Sequence, residues 1–477
     1  MKEILSMTAL ELAAAMRRRD IRPTEAVDAV FQCIAEKEPM IHAYISLFED
    51  DARRRAVDAE KRILAREDLP PLFGVPISVK DNLCTRNRRT TAGSRMLQSF
   101  VPPYSATAVE RLENAGLIVI GKTNLDEFGM GSTTENSAFG ATMNPRNETL
   151  VPGGSSGGAA ASVVARECFV ALGTDTGGSV RTPAAWCGCY GFKPSYGRIS
   201  RYGLIAYASS MDTVGILARS PLDAAVMCNT ISGADGKDMT AVGGNYLDTE
   251  SAENYDIRGK RIGIPTVFME DKLLDADIRS AVEEVVLHCE RSGAVIKELS
   301  IPSLAYSVAT YYTLACAEAA SNLARYDGIR YGYCIDEDDD VPLSVQNRTR
   351  GFGKEVKNRI MLGNYVLSTG HYDDYYRKAL ARRAKIREEM DAAFDKVDII
   401  LSPVTRKGAP QIGKSLHHPV SMMQEDAFTV AANLYGGPAA SLPIAEGIGL
   451  GIMGKSGDDA SVIGISNYLA NAAEVYQ

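Results

Sequence analysis

The chain of 477 residues has no CxxC pair, and it has only five histidines, His42, His288, His371, His417 and His418. Its nine cysteines, Cys33, Cys84, Cys168, Cys187, Cys189, Cys228, Cys289, Cys316 and Cys334, are odd in number and scattered. That distribution suits neither a disulfide framework nor a zinc site, and predicts reduced, mostly buried thiols. The histidines lack HExxH spacing, so nothing in the sequence calls for a metal. No segment approaches the roughly 20 consecutive apolar residues of a membrane span. The opening stretch MKEILSMTALELAAAMRRRD lacks the apolar core of a signal peptide. It reads instead as an amphipathic helix, with Thr8 and Glu11 at capping-box spacing, and a cytoplasmic location is expected. Excess positive charge is missing too: 52 Lys and Arg against 60 Asp and Glu give a net charge of −8. A chain of this balance is not expected to grip nucleic acid by itself. There are no internal repeats and no low-complexity linker.

What is present is a soluble-protein composition, 45% hydrophobic and 23% charged, long enough for a large core. Residues 1–65 read as helical, with TEAVDAVFQCIAEKEP ending before Pro39, and are expected to pack on the core. From there LFGVPISVKDN predicts a strand running into a loop. VERLENAGLIVIGKTN predicts helix, glycine stop and buried strand, and CFVALGTDTGGS a strand opening into a glycine turn. KRIGIP, AVIKELSIP and VDIILSPVT are further strands. DADIRSAVEEVVLHCERSG is a helix whose Ile278, Ala281, Val282, Val285 and Cys289 share one face, stopped by Gly293. Helices also cover NRIMLGNYVLSTGHYDDYYRKALARRAKIREEMDAAF, and the acidic CIDEDDDVP reads as a solvated loop. The alternation gives an α/β fold with a large, mostly buried β-sheet sandwiched between helices. No sharp boundary interrupts residues 66–477.

Three motif matches fail on mechanism. Gly116 to Thr123 satisfies GxxxxGKT, but Leu117, Ile118, Val119 and Ile120 want to be a buried strand, not a loop cradling phosphates. GGSSGG satisfies GxSxG, yet no strand precedes it and no histidine is marked as its base. Metal hydrolysis lacks ligands. Serine with lysine remains. Serine needs a base, and a lysine neutralised by burial can be one. Lys80 closes the apolar run GVPISV, although a lysine snorkelling to the surface fits the same run. In DTGGS the amides of Thr176, Gly177, Gly178 and Ser179 can point at one spot, as an oxyanion hole requires. Ser179 would then be the nucleophile. Ser155 of GGSSGG would relay a proton between Ser179 and Lys80, because a hydroxyl both donates and accepts.

The ordered set GVPISVKDN, GGSSGG and DTGGSVRTPA resembles the amidase signature hydrolases. The resemblance implies a Ser–Ser–Lys triad of Lys80 as base, Ser155 as bridge and Ser179 as acyl-forming nucleophile. It also implies oxyanion donors at Thr176, Gly177 and Gly178, and a single large α/β domain around a mixed sheet over residues 66–477. Longer stretches, among them GKTNLDEFGMGSTTENSAFG and GFGKEVKNRIMLGNYVLSTGHYDDYYRKA, are similar to the glutaminase branch that serves tRNA-dependent amidotransferases. That branch implies L-glutamine as substrate, partnership with the B and C subunits of a heterotrimer, and tRNA contact mainly through the B subunit. It implies no membrane and no cofactor in this chain, with ATP and Mg²⁺ expected in the B subunit. The pattern places a cation for the substrate carboxylate at Arg359, an anion for its ammonium at Asp426, and Tyr311 along the same pocket. The chain departs from the family at Thr182, where glutamine is usual, and at Trp186. The text after GPAASLPIAEGIGLGIMGK is shortened, at what reads as the late edge of the sheet. The alternative is a stand-alone amidase with the same triad and another small amide.

Overall fold

The computed structural model describes residues 2–242, 244–335, 341–414 and 423–472. Its centre is one mixed sheet of eleven strands in the order β1-β3-β2-β4-β6-β5-β10-β11-β9-β7-β8. In chain order these are β1 Tyr44–Leu47, β2 Pro76–Lys80, β3 Ile118–Thr123, β4 Val170–Asp175, β5 Tyr190–Lys193, β6 Thr213–Ala218, β7 Arg261–Pro265, β8 Val295–Leu299, β9 Ile399–Pro403, β10 Ala439–Ala445 and β11 Ile448–Gly454. β2 pairs parallel with both β3 and β4. Every residue of those three strands is buried, which is why they read as unbroken apolar runs and not as alternating ones. Their carboxyl ends line up: Lys80 lies opposite Thr123, and Val79 opposite Leu172, two residues before Thr174. Ligands of open α/β sheets bind beyond such ends.

Residues 118–123 of the GxxxxGKT match form the strand β3. Its Lys122 is fully buried, paired with Asp81 at 3.3 Å and donating to the Leu83 carbonyl at 2.7 Å. A strand with its lysine committed inward has no phosphate cradle to offer.

Three expectations are corrected. The helix over Pro23–Ile41 runs through Pro39 and ends at His42, which is left-handed with φ 55°. The proline falls in the last turn, so only one ladder bond is lost before the helix stops. The first 65 residues are not helical throughout. Tyr44–Leu47 forms the sheet's edge strand, antiparallel to β3, and it is too short and too evenly half-buried to show a two-residue period. The C-terminal hairpin β10–β11 is not an edge. It pairs with β5 on one side and β9 on the other and joins the two halves of the sheet. The acidic run's residues 336–340 lie outside the described residues, as do His417 and His418. Trp186 is buried, and its indole N–H donates to the Lys407 carbonyl at 3.1 Å. Thr182 is buried with a side-chain oxygen that meets no partner among the described residues.

Two further helices pack closely on one another. Ser307–Asn322 packs against Lys354–Leu367, and Gly363 lets them touch. A Cβ on Gly363 would lie 2.0 Å from the Cys316 carbonyl oxygen. Backbone cannot yield there as a side-chain tip would. Gly363→Ala is therefore expected to lower stability by about 1–3 kcal/mol through overpacking. The thermal unfolding midpoint reads this directly, and an unchanged midpoint would contradict the close crossing.

Candidate active site

Lys80 is fully buried at the end of β2, and its ammonium nitrogen donates to Ser155 Oγ at 2.8 Å, Ser156 Oγ at 2.8 Å and Thr174 Oγ1 at 2.9 Å. Burial pulls its pKa down to about 7, while Asp126, Asp175 and Asp212 work in the opposite direction. At neutral pH a large share of Lys80 is thus an amine with two N–H groups and one lone pair. The lone pair must then face a hydroxyl proton. Ser156 cannot easily provide it, because its hydroxyl donates to the Thr174 carbonyl at 3.1 Å. Thr174 is held on the far side by Asn82 Nδ2 at 3.0 Å. The hydroxyl protons of Ser155 and Thr174 have no acceptor among the described residues, Thr174 Oγ1 accepting from both Lys80 and Asn82; of the two, Ser155 lies in the loop that is tied to Ser179, which fits it for accepting from one side and donating to the other.

Ser155 and Ser156 reach this position because the GGSSGG backbone packs without Cβ atoms. A Cβ on Gly154 would lie 2.1 Å from Asp126 Oδ2. Ser156 stands at the N-cap position of the helix Gly157–Val164 with no side-chain capping bond, and its amide donates to the Ser179 carbonyl at 3.0 Å. That bond ties the two glycine stretches together. A direct bond between the Ser155 and Ser179 hydroxyls is not among those of the described residues.

The turn that carries Ser179 is built around one carboxylate. Asp175 Oδ1 accepts from the Gly178 amide at 2.9 Å, Arg181 Nη2 at 2.9 Å and Asn433 Nδ2 at 2.9 Å. Its Oδ2 accepts from the Val180 amide at 3.2 Å and Arg181 Nε at 3.0 Å. Burial alone would raise this carboxyl's pKa, but the paired Arg181 guanidinium outweighs it and holds the group well below the usual carboxylate range. Arg181 also donates to the Thr429 carbonyl at 2.8 Å. Here the structure differs from the expectation for Gly178: its amide is engaged by Asp175. The amides of Thr176, Gly177 and Ser179 make no such bond among the described residues. Thr176 is steadied by its hydroxyl, which donates to Asp212 Oδ1 at 2.7 Å.

Arg359, Asp426 and Tyr311 come together against this turn. Arg359 is buried, with Nε on Glu355 Oε1 at 2.7 Å and Nη1 on the Tyr207 hydroxyl at 2.7 Å. Its guanidinium lies over the Tyr312 ring, 5.3 Å from the centroid. Its Nη2 is buried and has no partner among the described residues. Asp426 Oδ2 accepts from the Tyr312 hydroxyl at 2.5 Å, and Oδ1 from Ser132 Oγ at 3.4 Å. Burial raises its pKa to about 6, against the pull of Tyr312 and Arg359. Tyr311 packs edge-on to Tyr312, with centroids 5.0 Å apart, and its hydroxyl end abuts Gly177. Three residues beyond Asp426, Thr429 donates to the Gly177 carbonyl at 2.6 Å. One guanidinium, one carboxylate and two tyrosines thus border the serine turn. Such a set can hold a zwitterion while a hydroxyl attacks its other end.

Ser156, Thr174, Asn433, Thr429, Tyr207 and Tyr312 were not anticipated from sequence. Ser156 had a visible signal, since it sits beside Ser155 in the same motif. Among the described residues no three His, Cys, Asp or Glu side chains are grouped to hold a metal ion.

Comparison with known proteins bears on this arrangement. The amidase family's profile matches residues 25–463. The A subunit of glutamyl-tRNA(Gln) amidotransferase from Lachnoclostridium phytofermentans is 46% identical over 489 residues, covering 100% of this chain and 99% of that protein. The protein of the same name from Carboxydothermus hydrogenoformans is 45% identical over 480 residues, covering 100% and 99%. Among solved structures, the A subunit of glutamyl-tRNA(Gln) amidotransferase from Thermotoga maritima superposes with a TM-score of 0.80 at 34% identity, covering 97% of this chain and 94% of that one. A 6-aminohexanoate cyclic dimer hydrolase superposes with a TM-score of 0.84 at 25% identity, covering 98% and 97%.

The turn's tolerance is testable at Gly177. A Cβ there would lie 2.4 Å from Tyr311 Cζ and 2.6 Å from its hydroxyl oxygen. Tyr311 is buried and cannot swing away, so the turn must move. Gly177→Ala is expected to slow acylation by an amide about a hundredfold or more, the scale of losing one oxyanion donor. Stopped-flow acylation with circular dichroism as a folding control measures it, and near-normal acylation would contradict the contact.

Proposed function

The chain belongs to the amidase family, and on that premise we propose that it is the amidase component of a tRNA-dependent amidotransferase, hydrolysing the side-chain amide of L-glutamine. The observation that carries the substrate is the buried Arg359 guanidinium with one nitrogen unpaired, joined through Tyr312 to the Asp426 carboxylate. An apolar amide needs neither charge. Glutamine needs both, a bidentate cation for its carboxylate and an anion for its ammonium. The full-length similarity to the amidase components of glutamyl-tRNA(Gln) amidotransferases supports the same reading.

The catalytic residues in this reading are Lys80, Ser155 and Ser179. Neutral Lys80 takes the Ser155 proton as Ser155 takes that of Ser179. Ser179 Oγ attacks the carboxamide carbon, and the oxyanion forms against the amides of Thr176, Gly177 and Ser179. Gly178 acts through the shape of the turn, its amide being held by Asp175. The proton returns along the same hydroxyls to the amide nitrogen, the C–N bond breaks, and ammonia leaves. Water then enters by the reverse of these steps and releases glutamate from the ester. Nothing in these steps calls for a metal or organic group in this chain. The B and C subunits would complete the assembly as partners. ATP, Mg²⁺ and the main tRNA contacts would belong to the first of them, and the assembly would work in the cytoplasm. Among the described residues no helix is long and apolar enough to cross a membrane.

Ammonia release from L-glutamine, L-asparagine and a simple aliphatic amide, with and without the partners, tests the assignment. Glutamine preference strengthened by the partners is expected. Fast turnover of the simple amide with glutamine ignored would move the chain to the stand-alone amidases. Ser179→Ala is expected to abolish release, and undiminished release would sink the nucleophile. Because the base must be unprotonated and Lys80 sits at about 7, kcat should climb as pH rises through neutrality and level off above it. A profile flat from about pH 6 to 8 would remove Lys80 from the proton path.

A further inference from the structure

Between the Lys80 cluster and the Arg359 helix lies a carboxylate that the mechanism above does not use. Asp126 and Glu127 follow β3 as neighbours and face opposite ways. Asp126 accepts the Thr134 and Asn136 amides at 2.9 and 3.2 Å, and its charge acts on Lys80. Glu127 is buried, with Oε1 taking the Ser94 hydroxyl proton and Oε2 the Gly353 amide at 2.8 Å. Gly353 is the N-cap of Lys354–Leu367, and it brings no side-chain cap of its own. Helices begin with unpaired N–H groups that favour a nearby carboxylate, and here the carboxylate comes from a residue 226 positions away in sequence. A Cβ on Gly353 would lie 2.4 Å from Glu127 Oε2, so the two segments meet with no room to spare. Phe128 reinforces the joint. Its ring packs 5.0 Å from Tyr326 and 5.7 Å from Phe352, the residue before Gly353.

We propose that Glu127 is a positioning residue for substrate recognition: by anchoring the start of the Lys354–Leu367 helix, it sets where Arg359 presents its guanidinium to the glutamine carboxylate. Arg359 lies six residues after Gly353, roughly 9 Å along a rigid helix, so the anchor fixes both its height and its azimuth. Ser94 is the second half of the latch. Its hydroxyl holds Glu127, and its Oγ accepts the Met96 amide at 3.1 Å, tying the 93–97 turn to the same point. Glu127 touches no reacting atom. Its effect falls on binding and not on the acyl step.

This inference rests on the glutamine reading, and the experiment separates the two. Steady-state glutamine hydrolysis is measured for the full chain, with its partners where they raise turnover, and for E127Q, S94A, R359Q and the double variant E127Q/R359Q. The expected result is a KM raised about five- to tenfold in E127Q, the scale of one lost helix cap, with kcat within twofold. S94A raises KM in the same direction by less, and serves if E127Q does not fold. The double variant is expected to match R359Q alone, since a residue acting only through Arg359 adds nothing once Arg359 is gone. If R359Q leaves KM unchanged, the glutamine pocket itself is wrong and this inference falls with it. If R359Q raises KM while E127Q and S94A leave KM unchanged, or the effect of E127Q adds to that of R359Q in the double variant, the inference alone is overturned.

Discussion

The site depends on one unfavourable act, the burial of the Lys80 amine at the end of a parallel strand. An ammonium removed from water loses hydration that three hydroxyls replace only partly, and the proton comes off more easily. The surrounding carboxylates limit this. Asp126, Asp175 and Asp212 each favour the charged form, and the balance settles near neutrality. A lysine without those charges would be permanently neutral and a poor proton acceptor, whereas one on the surface would be permanently charged. The sheet topology delivers the balance, because β2, β3 and β4 run parallel and discharge Lys80, Asp126 and Asp175 on the same side.

Asp175 illustrates how the same low dielectric has opposite results for two neighbours. Among the described residues Lys80 has no ion-pair partner in direct contact, and burial draws its charge off. Asp175 has Arg181 in a two-pronged bond and keeps its charge. A fixed carboxylate can accept several N–H groups at once, and it gathers Gly178, Val180, Arg181 and Asn433 into one rigid turn. Removing Arg181 would leave an uncompensated buried charge, the costly half of a broken pair. The turn's rigidity fixes the directions of the amides that Asp175 leaves free.

Much of this was legible in the sequence because its signals are local. Buried strands leave apolar runs, so β2, β3, β4 and β9 could be read directly, and the strand character of residues 118–120 disqualified a phosphate loop. Three motifs, each within a dozen residues, marked Lys80, Ser155 and Ser179. What escaped was set by distant pairing. Tyr44–Leu47 became a strand because β3 offered an edge. The β10–β11 hairpin became central because β5 and β9 both accepted it. Thr429 and Asn433 hold the serine turn from some 250 residues away, and no local pattern in MMQEDAFT marks that duty. Gly178 escaped for a related reason: a glycine amide free in a turn and one captured by a carboxylate three residues earlier share the same sequence, DTGG.

The short segment Asp426–Thr429 gives the last step in relating specificity to chemistry. Its first residue presents the carboxylate that suits a substrate ammonium, and its last bonds the Gly177 carbonyl and receives Arg181 through its own. Asp426 and the turn at Gly177 therefore cannot shift independently. On the other side, Tyr311 and Tyr312 come from one helix, the first against Gly177 and the second between Arg359 and Asp426. Both charge-bearing elements are thus braced on the turn that carries Ser179. In the glutamine reading, a ligand that satisfied Arg359 and Asp426 together would have its far end toward Ser179, and one that satisfied neither would gain nothing from the brace. Discrimination by such a site comes chiefly from the buried polar groups that a wrong amide leaves unpaired, a stronger filter than pocket volume.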